Sequence, residues 1–539
     1  MYQPFPGAEV LPIPPEVQAM YDWAASKGVR WPKIIYPVRF PPGYIGSMAT
    51  DVIEPGEAIV ISPNDSLVTT KVAFQSDLRP IFEDHKAFFG TFDEMNDDLV
   101  LASYILSEKA KGPASDIAPF LAYQPKEPQN LQDWSRSELD ELQDPDLIFD
   151  SEKSLELHKE QFAEWRSIFS KYPEKIPLPS LTLEEFTWAI RLIGTRTFGK
   201  FAPYTTFFPV DELLNHDNVQ SYYIYVNPED KADSTKRYGG IVDDEDHDAR
   251  IYEIDSSTEL TSEALVVLTY YVNQGFSDEI FNSLRERALK HDEDELRDLK
   301  KRRTYRPADM DLSESSGKEM RLMAGATERY EKGAEVYMSY GRNSNRQLLS
   351  VYGFSLRQNH FNFAILKVKF KELLANEDLA NKVHIPDFSP DIFIKFKLKE
   401  KVISMVFVRT LRKLWWEKNF ATDSFFNPSN LELEVRFLVK AISLLSRFLE
   451  SFPTTLEEDL EMLRGELPLR KYFAVLYRSQ FKEIIRNQIE YFGYARSIVE
   501  EKLGGVSMAE AQDRVFSSVE NKEKYLFALK EYLIPFNSC

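Results

Sequence analysis

The sequence predicts an α+β protein with a mixed front part and a helical rear part. Before His360, short runs rich in β-branched and aromatic residues, such as Ala58-Ile59-Val60-Ile61 and SYYIYV at 221–226, alternate with helical stretches. Beyond His360, helical periodicity takes over almost completely. At 539 residues, 43% hydrophobic and 28% charged, the chain has material for two or three domains around a sizeable core.

Charge and cysteine usage narrow the function classes. A formal net charge of −20 argues against direct nucleic-acid binding, which needs a basic face for the phosphates. The same acidic field suits a basic protein partner. No apolar run reaches the roughly 18 residues of a membrane span, and MYQPFPGAEVLPIPPEV has no basic-then-apolar secretory pattern. The single cysteine, Cys539, excludes an internal disulfide and any Cys-rich zinc cluster. It points to a reducing compartment, cytoplasm or nucleus.

In chain order, residues 1–35 read as a Pro-rich lead with a helix over 15–27. Strand-like residues 47–49 and 58–61 flank a Pro55-Gly56 turn, the pattern of a β-hairpin. Residues 65–179 are helical, with periodic segments at 98–109 (DLVLASYILSEK) and 151–171. Thr182-Leu183-Glu184-Glu185 is a capping box that opens a helix to about Phe198. After the strand at 221–226, residues 228–325 read as a solvated insertion with an acidic run at 243–248 and a charged helix at 281–303. That run, His247 included, lacks the spaced ligands and central glycine of a calcium loop, so no metal is expected. Helices are expected at 397–417, 431–451, 456–464, 469–500 and 508–532, forming an all-α domain over 361–539.

Two strings carry chemistry. Asp211-Glu212-Leu213-Leu214-Asn215-His216-Asp217 places an Asn-His pair after an apolar run. Downstream, Glu335–Ser339 alternates like a half-buried strand, followed by YGRNSNRQLLSVYGF at 340–354: a turn, a short amphipathic helix and Gly353-Phe354. Taken alone, His216 reads as a satisfied core histidine, Arg196 as a helix-end cap or surface ion pair, and Tyr340 and Tyr352 as core residues.

Together the strings resemble the SET-domain methyltransferases, in particular the subfamily of the Rubisco large-subunit lysine methyltransferase and the actin-histidine methyltransferase. Further strings are similar to that subfamily: Gly46, Ala49-Thr50, Pro55-Gly56-Glu57 and Ser62-Pro63; Pro119-Phe120-Leu121 with Trp134 and Glu138-Leu139; and Trp188-Ala189 with Arg196-Thr197-Phe198. The resemblance covers about 40–360 by motif and 361–539 by architecture, with Leu467-Pro468-Leu469-Arg470 and Arg478, Lys482 and Arg486 in the latter. It implies a β-rich SET fold with a pseudo-knot and helical insert over 36–360, then a helical substrate-binding domain.

It further implies S-adenosylmethionine as cofactor and methyl transfer to lysine, or to histidine, of a protein substrate. Tyr340 is then catalytic. Gly46, Arg196, Asn215, His216, Gly353 and Phe354 face the cofactor; Arg196, Glu212 and Tyr352 face the substrate. The chain departs from the family where Tyr44 replaces the first loop glycine and Gly43 the acid before it. Glu212 stands as the acid three before Asn215, with Asp211 displaced by one. The altered loop and the long insertion favour the competing reading, a SET-like scaffold without turnover; the Asn-His pair and Tyr340 oppose it.

Overall fold

The Pro55-Gly56 turn does not close a hairpin. In the computed structural model, which describes residues 1–198, 202, 204–231, 237–238, 317–373, 393–415 and 430–538, that turn passes the chain between two sheets. Tyr44–Ala49 pairs antiparallel with Ile34–Phe40, whereas Ala58–Pro63 pairs antiparallel with Glu319–Met323. Gly56, at φ +73°, donates its N–H to the Ala324 carbonyl at 3.1 Å, a conformation that favours glycine.

The chain divides into two units. Among the described residues the first comprises those of 1–238, 317–361 and 466–474. Its largest sheet runs in the order Arg237–Tyr238, Tyr222–Val226, Glu319–Met323, Ala58–Pro63. All five residues of Tyr222–Val226 are buried, because the strand is covered on both faces: Tyr223 and Tyr225 join the main core, while Tyr222, Ile224 and Val226 pack with Met323. Glu319–Met323 lies between two core strands, so the end of the expected 228–325 insertion belongs to the sheet. Its acidic run and charged helix lie outside the described residues.

Smaller sheets build the rest. Glu9–Val10, Ile34–Phe40 and Tyr44–Ala49 form one, and Val68–Thr69, Thr206–Phe207 and Thr197–Phe198 another. Asn215–His216 pairs in parallel with Tyr337–Met338. The segment containing the latter is bonded on its other flank as well, since Val336 donates to the Ser47 carbonyl at 2.9 Å and Met48 bridges Glu335. The segment is thus held on both edges, between Asn215–His216 and the end of Tyr44–Ala49.

The expected helices of this unit form, with shifted ends. Asp97–Lys111 is capped by Asn96. Pro145–Phe169 begins earlier than its periodicity suggested, because Asp144 caps it and Pro145 occupies the first turn. In Leu183–Arg196, the Thr182 side chain accepts from the Glu185 N–H. Fully reciprocal capping boxes form instead at Ser135 with Glu138 and, in the helix Leu456–Met462, at Thr455 with Glu458.

Among the described residues the second unit comprises 362–373, 393–415, 430–465 and 475–538. It is not wholly helical. Phe363–Lys369 and Phe393–Lys399 form an antiparallel pair that buries Ala364, Leu366 and Val368 against Ile394, Phe396 and Leu398. Their period-two alternation is that of strands, and it replaces the start of the helix expected at 397–417, which runs Met405–Trp415. Helices Leu431–Glu450 and Leu456–Met462 follow, and Leu469–Leu503 continues the chain. The expected 508–532 helix splits into Met508–Phe516 and Lys522–Leu533 at Asn521, whose φ is +55°.

Two buried ion clusters tie these helices together. Asp459 accepts from Arg478 Nε at 2.8 Å and from Lys482 Nζ at 2.6 Å, and Thr454 joins both Asp459 and Lys482. Arg412 and Glu434 pair through two guanidinium nitrogens, and the Tyr532 hydroxyl donates to Glu434 at 2.8 Å. Arg486 pairs with Glu457 at the surface. Among the described residues no helix is long and apolar enough to cross a membrane, and no group of side chains has the makings of a metal site.

Candidate active site

The loop after Tyr337–Met338 is pinned by its asparagines. Asn343 Nδ2 donates to the Tyr340 carbonyl at 2.9 Å, and Asn359 Nδ2 donates to the Asn343 carbonyl at 2.8 Å and to Asn345 Oδ1 at 2.9 Å. Asn345 also exchanges two bonds with the backbone of Leu356. Ser344 caps helix Asn345–Tyr352, and Gly353 ends it in the left-handed region at φ +73°. Arg346 pairs with Asp144 and Asp150 of the helical insert. This accounts for the asparagine-rich string: each amide closes a backbone gap in a loop that has no sheet to satisfy it.

That loop gathers an aromatic cluster. The Tyr340 ring stacks on His216 with centroids 5.0 Å apart, lies 4.9 Å from Tyr352 and meets Phe354 edge-on at 6.4 Å. The Tyr340 N–H lies 3.0 Å from His216 Nδ1, and the Met338 carbonyl lies 3.2 Å from the same nitrogen, so the imidazole is held between the two backbone groups. The Tyr340 hydroxyl donates to the Leu214 carbonyl at 2.8 Å. Burial, then the neighbouring Tyr352, raise its pKa, while Arg196 opposes them. The phenol therefore stays neutral near pH 7 and, with its proton committed, presents its oxygen as an acceptor. Burial pushes the Tyr352 phenol up to about 12.

Opposite charges lie within electrostatic reach of that phenol. Arg196 Nη1 and Glu212 Oε2 are 4.0 Å apart, and neither atom has a hydrogen-bond partner among the described residues. Gln124, from the helical insert, donates to the other Glu212 oxygen at 2.9 Å. Burial raises the Glu212 pKa well above the carboxylate range. Tyr36 is half-buried within reach of both charges.

Asn215 sits on the other side of the Asn-His strand, with both amide hydrogens used. Its Nδ2 donates to the Ile45 carbonyl at 3.0 Å and to Glu335 Oε1 at 2.9 Å. A Cβ on Gly46 would lie 2.4 Å from that nitrogen and 2.8 Å from Glu335 Oε1, so only glycine fits. The other Glu335 oxygen accepts from the Tyr44 and Tyr337 hydroxyls, each at 2.8 Å.

Comparison with known proteins bears on this arrangement. Residues 401–485 match the family model described as Rubisco LSMT substrate-binding. The structure of the SET domain of LSMT bound to MeLysine and AdoHcy superposes with a TM-score of 0.51 at 15% identity, covering 95% of this chain and 99% of that one. The LSMT SET domain bound to lysine and AdoHcy gives 0.52 at 16% identity, over 94% and 97% of the two chains. Rubisco LSMT bound to sinefungin and monomethyllysine gives 0.51 at 16%, over 95% and 98%. The comparison with curated protein sequences returned no match. The chain has the SET fold of LSMT.

In this SET fold the residues singled out from sequence come together. Tyr340, His216, Tyr352 and Phe354 form the aromatic cluster, Gly353 caps the helix beneath it, and Arg196 and Glu212 lie within electrostatic reach of Tyr340. Gly46 packs on Asn215. Sequence reasoning missed Glu335, Tyr337, Tyr36 and Gln124. Glu335 opens a run read as half-exposed, yet only 1% of its surface is accessible. The one available signal was Tyr44 itself, the departure from the family pattern, which proves to be a Glu335 donor.

Asp211, beside Glu212, supplies a pH prediction for the SET fold. It is buried, accepts from the Tyr223 hydroxyl at 2.8 Å and from Ser62 at 3.1 Å, and is nonetheless pushed by burial to about 7. A carboxyl whose pKa is higher folded than unfolded adds stability at low pH, which is lost as pH rises through the folded pKa. The stability difference between wild type and Asp211→Asn is expected to fall between about pH 4 and 7, by at most about 1.4 kcal/mol per pH unit. Urea unfolding of both proteins across that range tests it; parallel curves would refute the shift.

Proposed function

We propose that the chain is an S-adenosylmethionine-dependent protein methyltransferase acting on a lysine side chain, in the cytoplasm or nucleus. The observation that carries the reading is the Tyr340 phenol: neutral, donating to the Leu214 carbonyl, and enclosed by His216, Tyr352 and Phe354. The match of residues 401–485 to a substrate-binding family and the cofactor products and methyllysine in the similar structures support it.

The residues fit the cofactor by their chemistry. Its amino-acid end carries both charges, and the Arg196 guanidinium, whose buried Nη1 has no hydrogen-bond partner among the described residues, offers a cation to its carboxylate. Asn215 supplies a polar amide on the other side of the strand, and Phe354 offers an aromatic face. Gly46 lets Asn215 stand close to the strand. When bound, S-adenosylmethionine supplies a methyl group activated by its positive sulfur.

The protein's task is to hold a neutral acceptor nitrogen in line and keep water out. Tyr340 Oη, left as an acceptor, orients the amine N–H or a methyl C–H; contacts of the latter kind are worth about 0.5–1 kcal/mol each. Tyr352 walls the channel, and Glu212, kept from ionising by burial, leaves its Oε2 without a hydrogen-bond partner among the described residues as a polar contact for the substrate. No phenolate takes part, since burial holds both tyrosines protonated.

Calorimetric titration of the whole chain with S-adenosylmethionine tests the reading. Wild type is expected to bind, and Asn215→Ala to bind roughly tenfold or more weakly, by leaving polar partners unpaired at about 1–3 kcal/mol. A wild type that takes up no cofactor would hand the case to a scaffold role. Mass spectrometry of methylated peptides then identifies the acceptor; histidine in place of lysine would keep the reaction class and change the substrate.

A further inference from the structure

We infer that Glu335 is a positioning residue for the cofactor site: it fixes the Asn215 amide with its oxygen outward, so that the site selects a ligand group that donates N–H. The inference rests on the functional reading above. Asn215 is half-buried, and its amide has two possible orientations that differ in which atom meets the ligand. The Ile45 carbonyl accepts from Nδ2 at 3.0 Å, and Glu335 Oε1 accepts from it at 2.9 Å. A carbonyl and a carboxylate oxygen cannot donate, so both partners reject the flipped amide. Two acceptors on one nitrogen leave Oδ1 as the atom available to a ligand.

Glu335 keeps that role only while it is ionised, because a protonated carboxyl could donate and invert the choice. Burial raises its pKa, whereas Asn215, Tyr337 and Tyr44 lower it by donating to it; Asp217 is the nearby charge that raises it. Tyr44 belongs to this arrangement. A glycine at that position offers no hydroxyl, so the side chain that breaks the family pattern supplies one of three donors to the buried carboxylate. The ordering runs from Tyr44 and Tyr337 through Glu335 to Asn215, over atoms all in hydrogen-bond contact.

The test is a double-mutant cycle on the full chain, read as the Kd for S-adenosylmethionine by calorimetry. Glu335→Gln keeps size and removes the all-acceptor character; it is expected to weaken binding about tenfold. In the Asn215→Ala background the same substitution is expected to change Kd by less than about twofold, since the residue it acts through is gone. Cofactor KM should rise with kcat at saturation retained. Equal tenfold losses in both backgrounds would reduce Glu335 to a structural role and overturn the inference.

Wild type binding with Glu335→Gln binding equally overturns the inference alone; no binding by wild type overturns the functional reading and this inference with it. Should Glu335→Gln not fold, Tyr44→Phe tests the same link. With one donor lost the carboxylate protonates at higher pH, and cofactor affinity is expected to decline at a higher pH than in wild type as the solution is acidified. Superimposable pH profiles of Kd would overturn the inference.

Discussion

Tyr340→Phe is expected to lower turnover on the order of 100-fold while leaving cofactor Kd within about twofold. The ring contacts with His216, Tyr352 and Phe354 survive the substitution, so the pocket keeps its shape. The oxygen that orients the acceptor nitrogen is lost. An interaction felt mainly at the transition state lowers kcat rather than affinity, and a hydroxyl worth about 3 kcal/mol gives that factor. The Leu214 carbonyl loses its donor as well, so a stability loss of about 1–3 kcal/mol should accompany the effect. Methylation assays beside calorimetry check both parts, and a fully active variant would remove Tyr340 from the chemistry.

The largest stability effect is expected in the second unit, from Asp459→Ala. The Arg478 and Lys482 side chains are 2% and 0% exposed, and Asp459 is the carboxylate between them. Removing it leaves two buried cations without their anion, a situation that costs about 3–5 kcal/mol. Burial already holds the Lys482 pKa below its ordinary value, with Asp459 opposing the fall. Without Asp459 the folded pKa drops further, so the unfolded chain binds more protons than the folded one. The variant should therefore regain stability as pH rises toward the ordinary lysine range. Denaturant unfolding at two pH values measures this; a loss under about 1 kcal/mol would mark the cluster as energetically neutral.

The SET fold and much of the candidate site were legible because their signals are consecutive in sequence. Asn215-His216 and the Tyr340–Phe354 string each lie on one short segment, and the helical caps sit next to the helices they start. What escaped was set by neighbours distant in sequence. Glu335 looks like the outward residue of an alternating strand, yet Tyr44, Tyr337 and Asn215 close over its carboxylate and leave it 1% exposed. Pro55-Gly56 has the chemistry of a turn, but a turn does not specify which strands it joins. The pair Phe363–Lys369 and Phe393–Lys399 differs: its period-two pattern is local, but it is short and set among long helical segments whose periodicity dominates this part of the sequence.

The bonds that hold the site together also dictate when it forms. His216 and Tyr340 meet across 124 residues, Asn215 and Glu335 across 120, and Tyr44 and Glu335 across 291. Each requires a long loop to close before any contact rewards it, which slows folding. On the ribosome, at about 5–20 residues per second, the Asn-His strand emerges roughly 6–25 s ahead of its parallel partner. Through that interval Asn215 lacks its Glu335 partner, and the edge of Asn215–His216 that pairs with Tyr337–Met338 is open. The chain is thus most exposed to aggregation and chaperone capture just before its cofactor pocket exists, and pulse-chase folding of nascent chains should place cofactor binding after residue 340 has left the exit tunnel.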